Sequence, residues 1–314
     1  MLGRTANALF WMFRYLERAE NTARLLEAGL RMALTRDLVT AEAEWRSVIA
    51  TLGQQAAFEA VHDAYDGLAV WNFVLRGPSN PGNVRAMFAL VRANARTART
   101  NISSDVWEAV NDNWMKLDKL LARPVGQMAV GEVLAAIRRA GTQVHGAFDG
   151  SILRDEGYHF ARAGTFVERA DSTARILDMK YFLLLPSLSY VGSSLDTGQW
   201  EQVLRSVAGA SAYSWLNAGQ IEARGIVEFL VLDERFPRSL AFCRNALRAN
   251  LAELARMHGV EGQSNALMQE VDRRISHLSV DAIFEQGLHE FLVDCMACNV
   301  AIANAIAADY RFHA

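Results

Sequence analysis

Two stretches of the chain carry the same pattern of acids and bases. Residues 16–27 read LERAENTARLLE, and residues 167–178 read VERADSTARILD. From Glu17 and Glu168 onward, seven of eleven aligned positions are identical, including Glu17/Glu168, Arg18/Arg169 and Arg24/Arg175. The other four swap like for like, Glu20/Asp171 among them. Neither stretch contains Gly or Pro, so both are expected inside helices. At about 3.6 residues per turn, Glu17, Asn21 and Arg24 fall on one side, with Glu20 beside them. Glu20 and Arg24 are four apart with the acid first, as are Asp171 and Arg175, which is the favourable order for an ion pair. Leu9, Leu16, Ala23 and Leu30 mark the apolar stripe, and Glu20 lies at its margin. Charges placed there must be paired, because an isolated buried charge is costly. Chemically, a glutamate could serve as a general base, and an arginine could clamp a carboxylate or phosphate.

An Asn accompanies each motif. Arg92-Ala93-Asn94 recurs as Arg248-Ala249-Asn250. Asn94 shares a helix face with Met87 and Val91, and Asn250 shares one with Cys243 and Leu247. A buried amide needs partners, and the Glu-Arg face is the natural candidate. Two readings stand. The groups form a polar network that fixes helix register, or they line a cleft that holds a polar ligand or a partner.

Other chemistry is less well supported. Glu59/His62 and Glu156/His159 have the Glu-x-x-His spacing of helical di-iron sites, which Glu17 or Glu168 could complete. Neither pair recurs at the repeat offset, and no metal or other cofactor is expected. Cys295-Met296-Ala297-Cys298 is a lone CxxC in an apolar helix pattern, read as small buried side chains rather than as a zinc or redox site. No Gly-rich phosphate loop, GxSxG or HExxH is present.

The elements that must position these residues are helical almost throughout. Long helices are expected over 4–34 and 158–185, each carrying one motif. Shorter ones are expected over 41–64, 70–75, 83–100, 104–121 and 131–148, and then over 199–208, 218–232, 237–257, 264–277 and 280–308. The repeat extends past the motif: Trp45 matches Trp200, and Pro81 matches Pro237, at an offset of 155 to 156 residues. The expected fold is all-α. Two tandem-duplicated helical-bundle halves of about six helices each, residues 1–150 and 151–314, would pack with pseudo-twofold symmetry. The 314 residues are 51% apolar and 21% charged, as in an ordered globular protein. A net charge of −3 gives no electrostatic reason to expect nucleic acid or an acidic membrane. The densest apolar patch noted, residues 181–185, is too short to span a bilayer. Three cysteines are too few for a disulfide framework, so a cytoplasmic protein is expected.

These residues resemble the alpha-E family, a bacterial α-helical domain named for a recurring Glu-Arg motif. The resemblance rests on LERAENTARLL with FWM before it and on VERADSTARILD followed by MKYFLLLP. It also rests on NISSDVWEAVN (101–111) and FPRSLAFCRNAL (236–247), and it covers essentially the whole chain. It implies a setting of ATP-dependent amide or peptide bond formation. The partners it implies are a circularly permuted ATP-grasp ligase and a transglutaminase-like protein. The signature residues are then Glu17, Arg18, Arg24, Glu168, Arg169 and Arg175. The first expectation is a helical accessory partner of such a ligase, binding through Glu17, Arg18, Glu20, Arg24, Asn94, Glu168, Arg169, Asp171, Arg175 and Asn250. An enzyme using Glu17 or Glu168 as base, and a di-metal carboxylate protein, are the alternatives.

Overall fold

The structure, a computed structural model, describes residues 1–34, 38–183 and 194–312. Among the described residues there are fifteen α-helices and no strand. They are α1 (Gly3–Ala33), α2 (Leu38–Thr51), α3 (Gln55–Glu59), α4 (Gly67–Arg76), α5 (Val84–Thr97), α6 (Ser104–Leu120) and α7 (Val130–Ser151). Then follow α8 (Glu156–Leu183), α9 (Ser194–Ser206), α10 (Ala210–Leu216), α11 (Ala223–Val231), α12 (Leu240–His258), α13 (Gln263–Ile275), α14 (Val280–Gln286) and α15 (Leu288–Asp309). The two motifs lie in α1 and α8, the two longest helices described. The all-α expectation is met.

Helix starts follow short polar caps. Asp66, Asn83, Ser103, Ser239 and Ser279 each accept a backbone N–H three residues ahead, at the first turns of α4, α5, α6, α12 and α14. Breaks follow glycine. The single helix expected over 41–64 is divided, because Gly53 takes a positive φ of 67° between α2 and α3. The helix expected over 280–308 is divided at Gly287, φ 101°, into α14 and α15. Periodicity alone carries through such a residue, whereas the left-handed backbone ends the hydrogen-bond ladder. The segment expected as one helix over 218–232 instead starts at Ala223, and α10 precedes it. Between the helices expected over 158–185 and 199–208, residues 184–193 lie outside the described residues, and α9 begins at Ser194.

The chain gathers into two compact units. One comprises Tyr15–Ile152. In it α4 packs on α5, α5 on α6 and α6 on α7, with α2 against α3 and α4. Its core includes Trp45 against Trp71 and Phe58 against Phe73 and Tyr65. Trp71 buries its indole N–H on the Val125 carbonyl at 2.8 Å, so the ring adds apolar area with no lost hydrogen bond.

The other unit comprises Met1–Arg14 and Leu153–Ala314. The halves expected from the sequence, 1–150 and 151–314, differ from these units in the placement of the first fourteen residues. Here α8 is central, packed by α12, α15 and α9. Helix α13 packs on α12 and α15, and α11 packs on α9, α12 and α14. Phe10, Phe160 and Phe312 form one aromatic cluster. By length and composition α15 would suffice to cross a membrane, which the reading of residues 181–185 as the densest apolar patch missed. It packs on α8 and α13, with Ile302 and Ile306 buried.

Close approach of α1 to α8 depends on Gly164. A Cβ there would collide with the Phe10 carbonyl oxygen and backbone. Gly164→Ala should therefore destabilise the protein by about 1–3 kcal/mol. A urea midpoint unchanged from wild type would contradict this account of the α1–α8 contact.

Candidate functional site

Within Tyr15–Ile152 the first motif sits almost entirely out of water. Glu17 is 0% exposed and Glu20 is 5% exposed. Arg24 donates to Glu20 Oε1 through Nη2 at 2.6 Å and Nε at 3.2 Å, the pair expected from the spacing. Helix α7 adds a third group. His145 Nε2 lies 3.6 Å from Glu17 Oε2. Gly141, one turn earlier on α7, makes room for the acid, since a Cβ there would fall 2.5 Å from Glu20 Oε2. Glu17, Glu20 and His145 thus bring three potential ligand atoms within 4.8 Å of one another. Such a set can relay a proton between carboxylate and imidazole, or hold a cation. His145 was missed from the sequence because it belongs to neither motif and stands on a different helix.

In the other unit, the second motif meets its counter-charge differently. Buried Glu168 accepts from Arg14 Nε at 3.0 Å, an arginine eleven residues beyond the start of α1 and outside both motifs. The Arg14 guanidinium also lies 4.6 Å from the Trp11 ring centre, a favourable cation–π arrangement. Arg175 pairs with Asp171 at 2.7 Å, as spaced. Arg169 donates to the Pro237 carbonyl at 3.3 Å, and Thr173 donates to the Arg238 carbonyl at 2.8 Å. Both contacts tie α8 to the segment that starts α12. Arg18 is half-buried on α1.

The two Asn residues fare differently. Asn250 is buried and meets His159 Nδ1 at 2.8 Å while donating to the Ala246 carbonyl at 2.7 Å. Its side-chain partner on α8 is therefore His159, more than two turns before Glu168. Asn94 is half-buried on α5. The Glu-x-x-His pairs point to separate neighbours. Glu59 accepts from Tyr65 at 2.8 Å and from Gln55 at 3.0 Å, while His62 packs on the Phe58 ring. Glu156 faces His258 at 3.0 Å, and His159 faces Asn250. The two Glu-x-x-His pairs thus have different neighbours and do not converge on one site. Among the described residues it is Glu17, Glu20 and His145 that cluster.

A pocket opens beside the second motif. It encloses about 130 Å3 between α8, α12, α13 and α15, with Ala170, Asp171 and Ala174 of the motif in its wall. Most of the wall is apolar, and Cys243, Cys295 and Cys298 all contribute to it. Burial pushes the Cys295 thiol up to about 12, with Cys298 and Asp294 adding to the effect and Arg274 and Arg244 opposing it. At neutral pH Cys295 is a protonated, apolar wall group rather than a nucleophile. All three cysteines are free.

The family described as a predicted alpha-helical domain with a conserved ER motif matches residues 1–310. An uncharacterised protein of Mycobacterium bovis is 25% identical over 317 residues, a match covering 94% of this chain and 35% of that protein. Two uncharacterised proteins of Mycobacterium tuberculosis match at the same identity and coverage. The chain therefore spans 35% of the length of these curated relatives. No solved structure matches.

Arg14 and Glu168 are both largely withdrawn from water. Arg14→Met should cost about 3–5 kcal/mol, because it removes a guanidinium from beside a buried carboxylate. Chemical denaturation checks this, and a loss well under 1 kcal/mol would refute it. Stability should also fall at high pH. Burial is the leading cause that raises Cys295, Tyr65 and Tyr310 each to about 12, from ordinary values of 9.0 for the thiol and 10.0 for the phenols. Between those values the unfolded chain binds fewer protons than the folded one. The stabilisation is thus complete below pH 9.0 and is lost as pH climbs toward 12. Melting temperatures measured across that range should decline steadily.

Proposed function

Because the chain belongs to the Alpha-E family, we propose that it is the helical accessory component of an ATP-dependent amide or peptide ligase system. It works with a circularly permuted ATP-grasp ligase and holds the amino-acid or peptide substrate, or the partner itself, at its Glu-Arg motifs. One observation carries the reading: Asp171 of the second motif stands in the wall of an apolar pocket large enough for a small ligand. The curated relatives add support, since in each the matching region makes up 35% of a longer chain. A helical part that accompanies other domains is what an accessory role requires. A transglutaminase-like protein is a second partner in the same setting, and the cytoplasm, compatible with three free cysteines, is the proposed location.

The halves 1–150 and 151–314 are read as copies of one ancestral helical bundle. Asn83 and Ser239, each two residues after the matched prolines Pro81 and Pro237, cap α5 and α12 in the same way. Glu20–Arg24 and Asp171–Arg175 form the same pair one turn apart. The neighbour order α4–α5–α6–α7 is echoed by α11–α12–α13–α15.

The cluster of Glu17, Glu20 and His145 favours a second reading, acid–base catalysis by this chain or a role for a bound cation there. Glu17→Gln separates the two readings. Assayed without a ligase, it abolishes turnover under the second, whereas under the first the isolated chain has no turnover to lose.

The accessory role predicts that a co-purified ATP-grasp partner loses most of its amide-forming activity when this chain is withheld and regains it when the chain is added back. A partner equally active in both conditions would refute the role.

A further inference from the structure

The pocket beside the second motif has an apolar interior and a charged rim. Phe166, Leu247, Met268, Phe291 and Ile302 set the interior. Its volume, about 130 Å3, is close to that of an apolar cavity known to take up benzene. Charges of both signs stand in the same wall: Arg244 on α12, Arg274 on α13, Asp171 on α8 and Asp294 on α15. Arg274 and Asp294 lie 3.3 Å apart and are half in water. Arg244 is mostly buried. Its Nε is 3.1 Å from Asp272 Oδ1 but misaligned, so that the Nε–H has no hydrogen-bond acceptor. The guanidinium as a whole stands in the pocket wall, where with Arg274 it offers positive charge to an incoming carboxylate. A simple fatty acid would satisfy the arginines and be repelled by the two aspartates. A simple amine would meet the reverse. A ligand bearing both charges on one carbon, with an apolar tail, satisfies both and fills the hole.

We propose that this pocket binds an apolar α-amino acid of leucine-to-phenylalanine size, its side chain inside, its carboxylate on Arg244 and Arg274 and its ammonium on Asp294 and Asp171. The assignment rests on the accessory role above and names the substrate class for that role. The protonated thiol of Cys295 suits such an occupant, because it presents no charge to the side chain. Shape and charge together set the specificity: the rim admits any α-amino acid, and the interior rewards only those with apolar bulk.

Titration calorimetry and thermal shift on the purified chain test this directly with L-leucine, L-methionine and L-phenylalanine. Each should bind saturably and raise the melting temperature as its concentration rises. Glycine and aspartate should do neither. The deaminated acid 3-phenylpropanoate should bind about tenfold more weakly than phenylalanine. Asp294→Asn, at an exposed rim position, should erase that tenfold preference without disturbing the fold. Ala174→Leu should fill the pocket and abolish binding while the helical circular dichroism is kept. The proposal is overturned if none of the three amino acids binds the folded wild-type chain. It is equally overturned if 3-phenylpropanoate binds as well as phenylalanine, or if Ala174→Leu binds like wild type. No ligase is present in these measurements. Failure of the ligase-dependence experiment would leave the binding curves intact, and failure here would leave that dependence intact.

Discussion

A carboxylate carried below the protein surface must take its compensation with it. That constraint shapes both long helices of this chain. Glu17 and Glu168 occupy the same place in the repeated motif, and both are withdrawn from solvent. Around Glu168 the counter-charge is a guanidinium from the first half of α1, held over an indole. Around Glu17 the nearby group on α7 is an imidazole, with a glycine one turn away leaving space for the neighbouring acid. Helix packing, glycine placement and aromatic placement in these regions follow from the need to bring such groups within reach.

The same interactions explain which parts of the molecule could be read from sequence. The i,i+4 pairs Glu20–Arg24 and Asp171–Arg175 were legible, because both partners lie on one helix and helical spacing alone places them. His145 beside Glu17 and Arg14 beside Glu168 were not, since each joins two helices and no local rule connects them. The expected link from Asn250 to the Glu-Arg face was close but misdirected: Asn250 does meet α8, at His159. Helix ends at Gly53 and Gly287 were hidden for another reason. Hydrophobic periodicity runs straight through a glycine, and only the backbone angle reveals the stop.

The motif also changes character between its two occurrences. In α1 it is a closed polar cluster beside α7. In α8 its outer residues, Ala170, Asp171 and Ala174, are small or acidic and border an apolar pocket. The alanines matter as much as the acid, because larger residues at those positions would occupy the space between α8, α12 and α15. A motif defined by its charged letters therefore owes part of its use to the small residues between them. The three cysteines in the same wall fit this picture, being compact and uncharged.

Helix α1 belongs to both compact units: its opening turns up to Arg14 group with residues 153–314, and the remainder groups with the segment ending at Ile152. The linear order of the gene and the order of assembly are thereby decoupled. The portion from residue 153 onward cannot complete its aromatic cluster or the Arg14–Glu168 pair without residues that lie before the other unit in sequence. Recombination that exchanged the two portions as sequential blocks would sever a helix rather than a linker.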